Sequence, residues 1–165
     1  MDKQLRQRVS LKNPVHFLAL GFGSGLIPFM PGTFGSLAAL PLLIPFLYLP
    51  PITLLIAAVL ASAIGIYLCG KTADDMQVHD HGSIVWDEVA GILLTFLWVP
   101  LSLWTVVAGF LLFRFFDIVK PWPIGPVDKY VSGGLGIMLD DIIAGLMACA
   151  SLHGLIWIVN SAPNL

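Results

Sequence analysis

The sequence predicts an all-α fold: a polytopic membrane helical bundle with four or five membrane-spanning helices and a re-entrant or interfacial N-terminal segment. Composition is the first observation. Of 165 residues, 58% are hydrophobic and 11% charged, with a mean hydropathy of +0.91. A water-facing domain carries about 25% charged residues, so this chain lacks the charge to cover a soluble surface. Charge placement is the second. No Asp, Glu, Lys or Arg occurs from Asn13 to Gly70, from Val89 to Phe113, or from Ile142 to Leu165. Each such side chain costs about 2.5–3.5 kcal/mol at the centre of a membrane helix, so a bilayer selects stretches of this kind. Segment length is the third: Ile52 to Cys69 reaches about 27 Å as a helix, close to the hydrocarbon thickness. A soluble enzyme, a secreted domain and a disordered tail are excluded.

Residues 1–13 form a basic leader, with Lys3, Arg6, Arg8 and Lys12 against Asp2, and the positive-inside rule keeps it in the cytoplasm. The leader runs into a segment broken by Gly and Pro, so no cleavable signal peptide is expected. Pro14 to Met30 is apolar but carries Gly21, Gly23, Gly25 and Pro28, which gives the re-entrant or interfacial segment. Gly35 to Leu49 and Ile52 to Cys69 are apolar runs separated by Pro50-Pro51. A double proline cannot continue a helix, so the pair reads as a hairpin that turns outside and returns to the cytoplasm at Lys71. Residues 71–88 then read as a polar loop. Val89 to Phe113 is interrupted by Pro100 and reads as a second hairpin, with Trp98 and Trp104 as interfacial anchors. Tyr48 and Trp157 fall at the outer level; Tyr67, Trp86 and Trp122 fall at the inner one. A polar stretch over 114–141 precedes a last helix from Asp140 to Val159. No internal repeat or boundary divides the chain, so residues 1–165 form a single membrane-embedded domain.

Nine of the ten acidic residues lie between Asp74 and Asp141, and the expected topology brings them to one side of the membrane. In a helix, Arg114, Asp117 and Lys120 share one face of about 120°, presenting cation, carboxylate and cation a turn apart. Such a stripe can bind a phosphate and a metal, or simply form an ion-pair ladder that solvates the helix end. Asp87-Glu88 and Asp140-Asp141 each precede an apolar run. One acid would complement a helix dipole, whereas adjacent like charges repel, so the doubled pairs argue for a shared cation. Oxygen-only ligands select a hard cation, by default Mg²⁺. Asp128 beside Lys129 reads as a plain surface charge.

Pro31-Gly32-Thr33-Phe34-Gly35-Ser36 reads as a turn before a helix, either an anion nest or ordinary capping by Thr33 or Ser36. Gly133-Gly134-Leu135-Gly136 invites the same two readings, or a flexible turn. His79 and His81 flank Asp80 in a water-facing loop without zinc-ligand spacing, and are acid–base candidates or plain loop residues. His16, His153, Cys69 and Cys149 lie in apolar stretches and read as structural. Gly65 to Thr72 matches GxxxxGK[ST], but its variable positions continue an apolar helix with no turn residues, so no nucleotide site is expected.

Taken together these clusters resemble the phosphatidylglycerophosphatase A family. PGTFGS at 31–36, VHDHGSIVWDEVAG at 78–91, FRFFDIVKPWPI at 113–124 and GGLGIMLDDIIAG at 133–145 carry the match, with LALGFGSGL at 18–26 adding to it. The resemblance implies a Mg²⁺-dependent phosphatase of the cell inner membrane in phosphatidylglycerol synthesis. Its lipid substrate would be phosphatidylglycerophosphate, with neither nucleic acid nor nucleotide as a partner. The residues then take these expected roles: Asp87, Glu88, Asp117, Asp140 and Asp141 as Mg²⁺ ligands, Arg114 and Lys120 neutralising the phosphate, and Thr33 and Ser36 assisting. Asp80, Asp87, Asp117 and Asp140 are the catalytic candidates, Asp80 for proton transfer, and the site would face the cytoplasm. There is no Cys-x₅-Arg loop, DxDx[TV] motif or PSGH-type block, so other phosphatase designs are excluded. A CDP-alcohol phosphotransferase would need a DGxxAR pattern, which is missing. A transporter or channel would place its ionisable groups near the bilayer midplane rather than at one interface.

Overall fold

The computed structural model describes residues 7–78 and 81–161, and every regular element among them is helical. Asp80 and His79 lie outside the described residues. Seven α-helices follow in order: α1 (Pro14–Ala19), α2 (Pro31–Ala39), α3 (Pro51–Met76), α4 (Trp86–Thr95), α5 (Leu103–Val119), α6 (Ile124–Tyr130) and α7 (Gly133–Ser161). A 3₁₀ segment, Gly21–Leu26, follows α1, and a second, Leu40–Leu47, prolongs α2. Of these, α3 and α7 are long and apolar enough to cross a membrane.

The expected breaks at proline are present. Pro50-Pro51 closes one hairpin, with Pro51 at the first turn of α3, where a missing N–H leaves no helical partner unsatisfied. The chain breaks again over 96–102, and α5 restarts on a capping box in which Ser102 and Thr105 satisfy each other's backbone N–H groups. Two boundaries differ from expectation. First, α3 continues through Lys71 to Met76, where Lys71 pairs with Asp75 one turn on. Second, the last helix begins at Gly133, so Asp140 and Asp141 sit two turns inside it and not at its start. Gly133 keeps a turn-like φ of +73° at the helix start, whereas Gly134 and Gly136 are helical because a neighbour needs their missing side chains. A Cβ on Gly134 would lie 1.9 Å from the carbonyl oxygen of Ile66 on α3, so the two helix backbones touch there. Small residues at such crossings are how helices associate in lipid.

Helix α4 is the centre of the molecule. From Glu88 to Thr95 every residue is buried, because α2, α3, α5 and α7 enclose it. At ten residues it is about 15 Å long, half a bilayer. Its crossing with α7 is again backbone on backbone: a Cβ on Gly145 would come within 2.5 Å of the Gly91 carbonyl oxygen. A helix that ends inside a bundle leaves carbonyls without helical partners. Here α7 supplies donors, the ring of His153 at 2.9 Å and the thiol of Cys149 at 3.7 Å, both to the carbonyl of Leu97. Trp86, expected at the inner interface, instead packs within the bundle and donates its indole N–H to the Ala61 carbonyl at 2.9 Å.

The N-terminal segment docks on the end of α3. His16 is buried, accepts from the Ser10 amide at Nδ1 (3.1 Å) and donates from Nε2 to Asp75 (3.0 Å), while Arg8 reaches the Met76 carbonyl. The Val85 amide donates to the Ala19 carbonyl, which ties the loop before α4 to α1.

Candidate active site

At one end of the bundle the first turns of α2 and α4 meet the last turn of α5 and the third turn of α7. Alternating hairpins produce this convergence, and it gathers acids that lie far apart in sequence. Asp87 and Glu88 occupy the first turn of α4, where the helix dipole favours carboxylates; the Asp87 carboxylate also accepts from the Glu88 amide at 3.1 Å. Asp141 reaches them from α7. Oxygens of Asp87, Glu88 and Asp141 all lie within 4.8 Å of one another. Asp117, from the last turn of α5, comes within hydrogen-bonding reach of Asp141.

Arg114 binds this group to its surroundings. One turn above Asp117 on α5, its guanidinium contacts Asp117 at 2.5 Å and Glu88 at 3.9 Å, and donates to the Ser36 hydroxyl at 3.3 Å. Ser36 is fully buried and itself donates to the Gly32 carbonyl. It therefore stands behind Arg114 as a support. Gly32 has a second role that the sequence reading passed over: a Cβ there would lie 2.4 Å from a Glu88 carboxylate oxygen and 3.3 Å from the Arg114 guanidinium. The only signal in the sequence was a glycine between Pro31 and Thr33, within a block already read as a turn. That block is itself the first turn of α2, with no side-chain cap.

Asp140 faces elsewhere. One position along α7 from Asp141, it is turned by about 100° around the helix axis. Its carboxylate instead accepts from Lys120 at 2.8 Å, and Lys120 also holds Asp128 at 2.6 Å. Asp128 is exposed, as a surface charge should be, but the sequence did not reveal its pairing with Lys120. It was missed because α6, which carries it, is folded back by the chain turn after Lys120. Burial alone would depress the Lys120 ammonium, but the bonds from Asp128 and Asp140 outweigh it and hold the group above the ordinary lysine range. Lys120 follows the α5 helix in a left-handed conformation, which turns it away from the line of Arg114 and Asp117. His81 sits in the turn before α4, its ring Nδ1 accepting from the Ser83 amide.

A cleft of about 400 Å³ opens beside the acids, lined by Gly32, Thr33, Glu88, Arg114, Asp117 and Lys120 among others. Cations, hydroxyl and first-turn amides of α2 on its walls suit an anion. The acids suit a cation. Asp87, Glu88, Asp117 and Asp141 are set against the single guanidinium of Arg114, and Glu88 keeps a buried oxygen without a hydrogen-bond partner. Buried like charges of that kind demand a counter-ion, and an all-oxygen donor set fits a hard divalent cation. The arrangement sets acids that could hold a cation beside a cleft suited to an anion, a combination that metal-assisted hydrolysis of a phosphate ester can use.

Comparison with known proteins agrees with this chemistry. The family model for phosphatidylglycerophosphatase A matches residues 17–156. The chain is 50% identical over 149 residues to phosphatidylglycerophosphatase A of Escherichia coli (strain K12), covering 90% of this chain and 87% of that one. It is 49% identical over 144 residues to the protein of the same name from Haemophilus influenzae, covering 86% and 88%. A Bacteroides thetaiotaomicron protein named "Putative phosphatidylinositol-3-phosphatase" is 35% identical over 150 residues, covering 86% and 93%. No solved structure matches the chain. On the match along nearly its whole length, the chain belongs to the phosphatidylglycerophosphatase A family and is a phosphatase.

Proposed function

We propose that this enzyme hydrolyses the terminal phosphate monoester of phosphatidylglycerophosphate, giving phosphatidylglycerol and inorganic phosphate, and that it requires Mg²⁺. The observation that carries the reading is the juxtaposition of the anion cleft with the group Asp87, Glu88 and Asp141. In this reading those three acids hold Mg²⁺, with Asp117 beside them. Bound there, the ion supplies Lewis acidity and neutralises charge building on the phosphoryl oxygens. Arg114 and Lys120 clamp the phosphate from opposite ends of the cleft, and Thr33 and the α2 amides bind a further oxygen. Ser36 holds Arg114, while Asp140 and Asp128 hold Lys120, so the two cations are fixed before the substrate arrives. Asp80, flanked by His79 and His81, is the candidate for giving a proton to the departing glycerol oxygen as its bond to phosphorus breaks.

The same reading sets the chain in the cell inner membrane with five passages: α2 with its 3₁₀ extension, α3, α4 with the 96–99 turn, α5 and α7. The long apolar helices α3 and α7 and the apolar run of α2 with its extension support a polytopic chain, and the basic leader supports a cytoplasmic site, level with the lipid headgroups.

Phosphate release in detergent, with Mg²⁺ titrated, tests the proposal. Activity on phosphatidylglycerophosphate should vanish on chelation and return with Mg²⁺, and Asp87→Asn and Asp117→Asn should each lower kcat/KM by about 100-fold or more. Full activity after chelation would remove the metal. Preference for phosphatidylinositol 3-phosphate, a comparator suggested by one relative's name, would remove the substrate.

A further inference from the structure

The two elements that flank the cleft, α2 and α5, run on into the apolar part of the molecule. Along α2, Thr33 is followed one turn on by Leu37, and Leu40 and Ile44 of the 3₁₀ extension line the same cavity as Leu37. On α5, Leu103, Val106 and Phe110 share a face with Arg114 and Asp117 at helical spacing. The α5 series is charged at one end and the α2 series has only a hydroxyl there, and both are apolar at the other end. Between their apolar ends lies a second cavity of about 540 Å³, lined by Leu37, Leu40, Ile44, Leu101, Leu103 and Val106 among others. Its walls are large hydrophobic side chains left open, with Leu37 43% and Leu103 84% exposed.

We propose that this groove is a binding subsite for one acyl chain of the phospholipid substrate, whose phosphate sits in the cleft below. The inference rests on the lipid-phosphatase reading and deepens it. The shared walls assign the occupant, because α2 with its extension and α5 flank both cavities, and Arg114 and Ser36 tie those elements together at the polar end. Length agrees. Arg114 to Leu103 is about 16 Å along α5, within the reach of an extended long acyl chain. A chain already dissolved in lipid gains little by leaving it, so the groove orients the substrate more than it tightens binding. Headgroup and chain held by the same pair of elements would present the phosphate in one pose.

The test compares hydrolysis of long-chain phosphatidylglycerophosphate with that of its dihexanoyl form, using the full chain in detergent. Leu37→Trp and Leu103→Trp fill the groove from open positions, and Ile56→Trp on the exposed face of α3 is the control. The groove variants should lower kcat/KM on the long-chain lipid about tenfold and leave the dihexanoyl substrate within about twofold. Equal effects on both substrates, or none on either, would overturn the subsite. Absence of hydrolysis of either lipid by the unaltered protein would instead overturn the phosphatase reading. As a second measurement, a substrate analogue with a photoreactive acyl chain should label residues 37–47 and 101–106, with unlabelled substrate competing and phosphatidylcholine not. Labelling that phosphatidylcholine displaces equally would mark an ordinary lipid-facing surface. Cross-linking of Leu103 between two copies would give the groove to a second chain.

Discussion

Asp140 and Asp141 are adjacent in sequence yet belong to different machinery. A helix separates neighbours by about 100°; Asp141 joins the pair on α4 while Asp140 fastens Lys120. The two substitutions should therefore behave differently. Asp141→Asn should lower phosphate release about 100-fold and raise the Mg²⁺ concentration for half-activity. Asp140→Asn should act chiefly through KM for the lipid, with the Mg²⁺ requirement little changed. A steady-state series in both substrate and Mg²⁺ separates them. Lys120 adds a pH dependence. Its folded pKa is raised above the ~10.4 of an unfolded lysine, so its contacts stabilise the fold fully below that pH. They lose this effect as pH climbs through the folded value. Asp128→Asn removes one of the two partners, and thermal melts on the alkaline side should show stability declining at lower pH than in the unaltered chain. Sequence alone could group Arg114, Asp117 and Lys120 on a helix face. It could not see that Lys120 ends the helix, nor that α6 returns Asp128 to it.

At the scale of elements, glycine decides how near two helices come. Gly145 and Gly91 set α4 against α7, and that contact lies one turn from Asp141. Gly145→Leu drives a side chain into backbone that has no rotamer to yield. Overpacking of this kind costs about 1–3 kcal/mol or more. A lower melting temperature should accompany loss of activity, since α7 carries Asp141 away as it shifts. His153→Ala probes the other end of α4. It strips the Leu97 carbonyl of its stronger partner, at a cost of about 1–3 kcal/mol, and activity at the distant site should persist below the new melting point. The hairpins were legible because proline interrupts charge-free runs for reasons local to the chain. The start of α7 was not: Gly133 to Gly136 carries turn composition, and only the close approach of Ile66 and Gly70 makes glycine the right helical residue there. The GxxxxGK[ST] match was legible as a coincidence, and its residues do run through the middle of α3.

For the whole molecule, apolar spans and clustered acids announced a bundle with chemistry at one end. The fold adds a hierarchy among the helices that composition does not show, because a lipid-facing run and an enclosed run are equally apolar. Here α4 is enclosed, whereas α3 turns Ile56, Leu60 and Ile64 outward. If the five passages are as proposed, a cysteine placed at Asp128 should react with an impermeant thiol reagent from the cytoplasmic side, and one placed at Tyr48 from the opposite side. Reaction of both from one side would overturn that arrangement.

Enclosure of α4 also bears on biogenesis. The chain leaves the ribosome in order, so α4 is made before α5 and α7, which later cover it and supply the donors for Leu97. Until α7 arrives, a ten-residue segment with two acids at its head and bare carbonyls at its tail has no stable residence in hydrocarbon. A chain stopped before Gly133 should leave α4 open to water-soluble labels that the finished protein excludes. Synthesis of the last helix is then what seals the catalytic end.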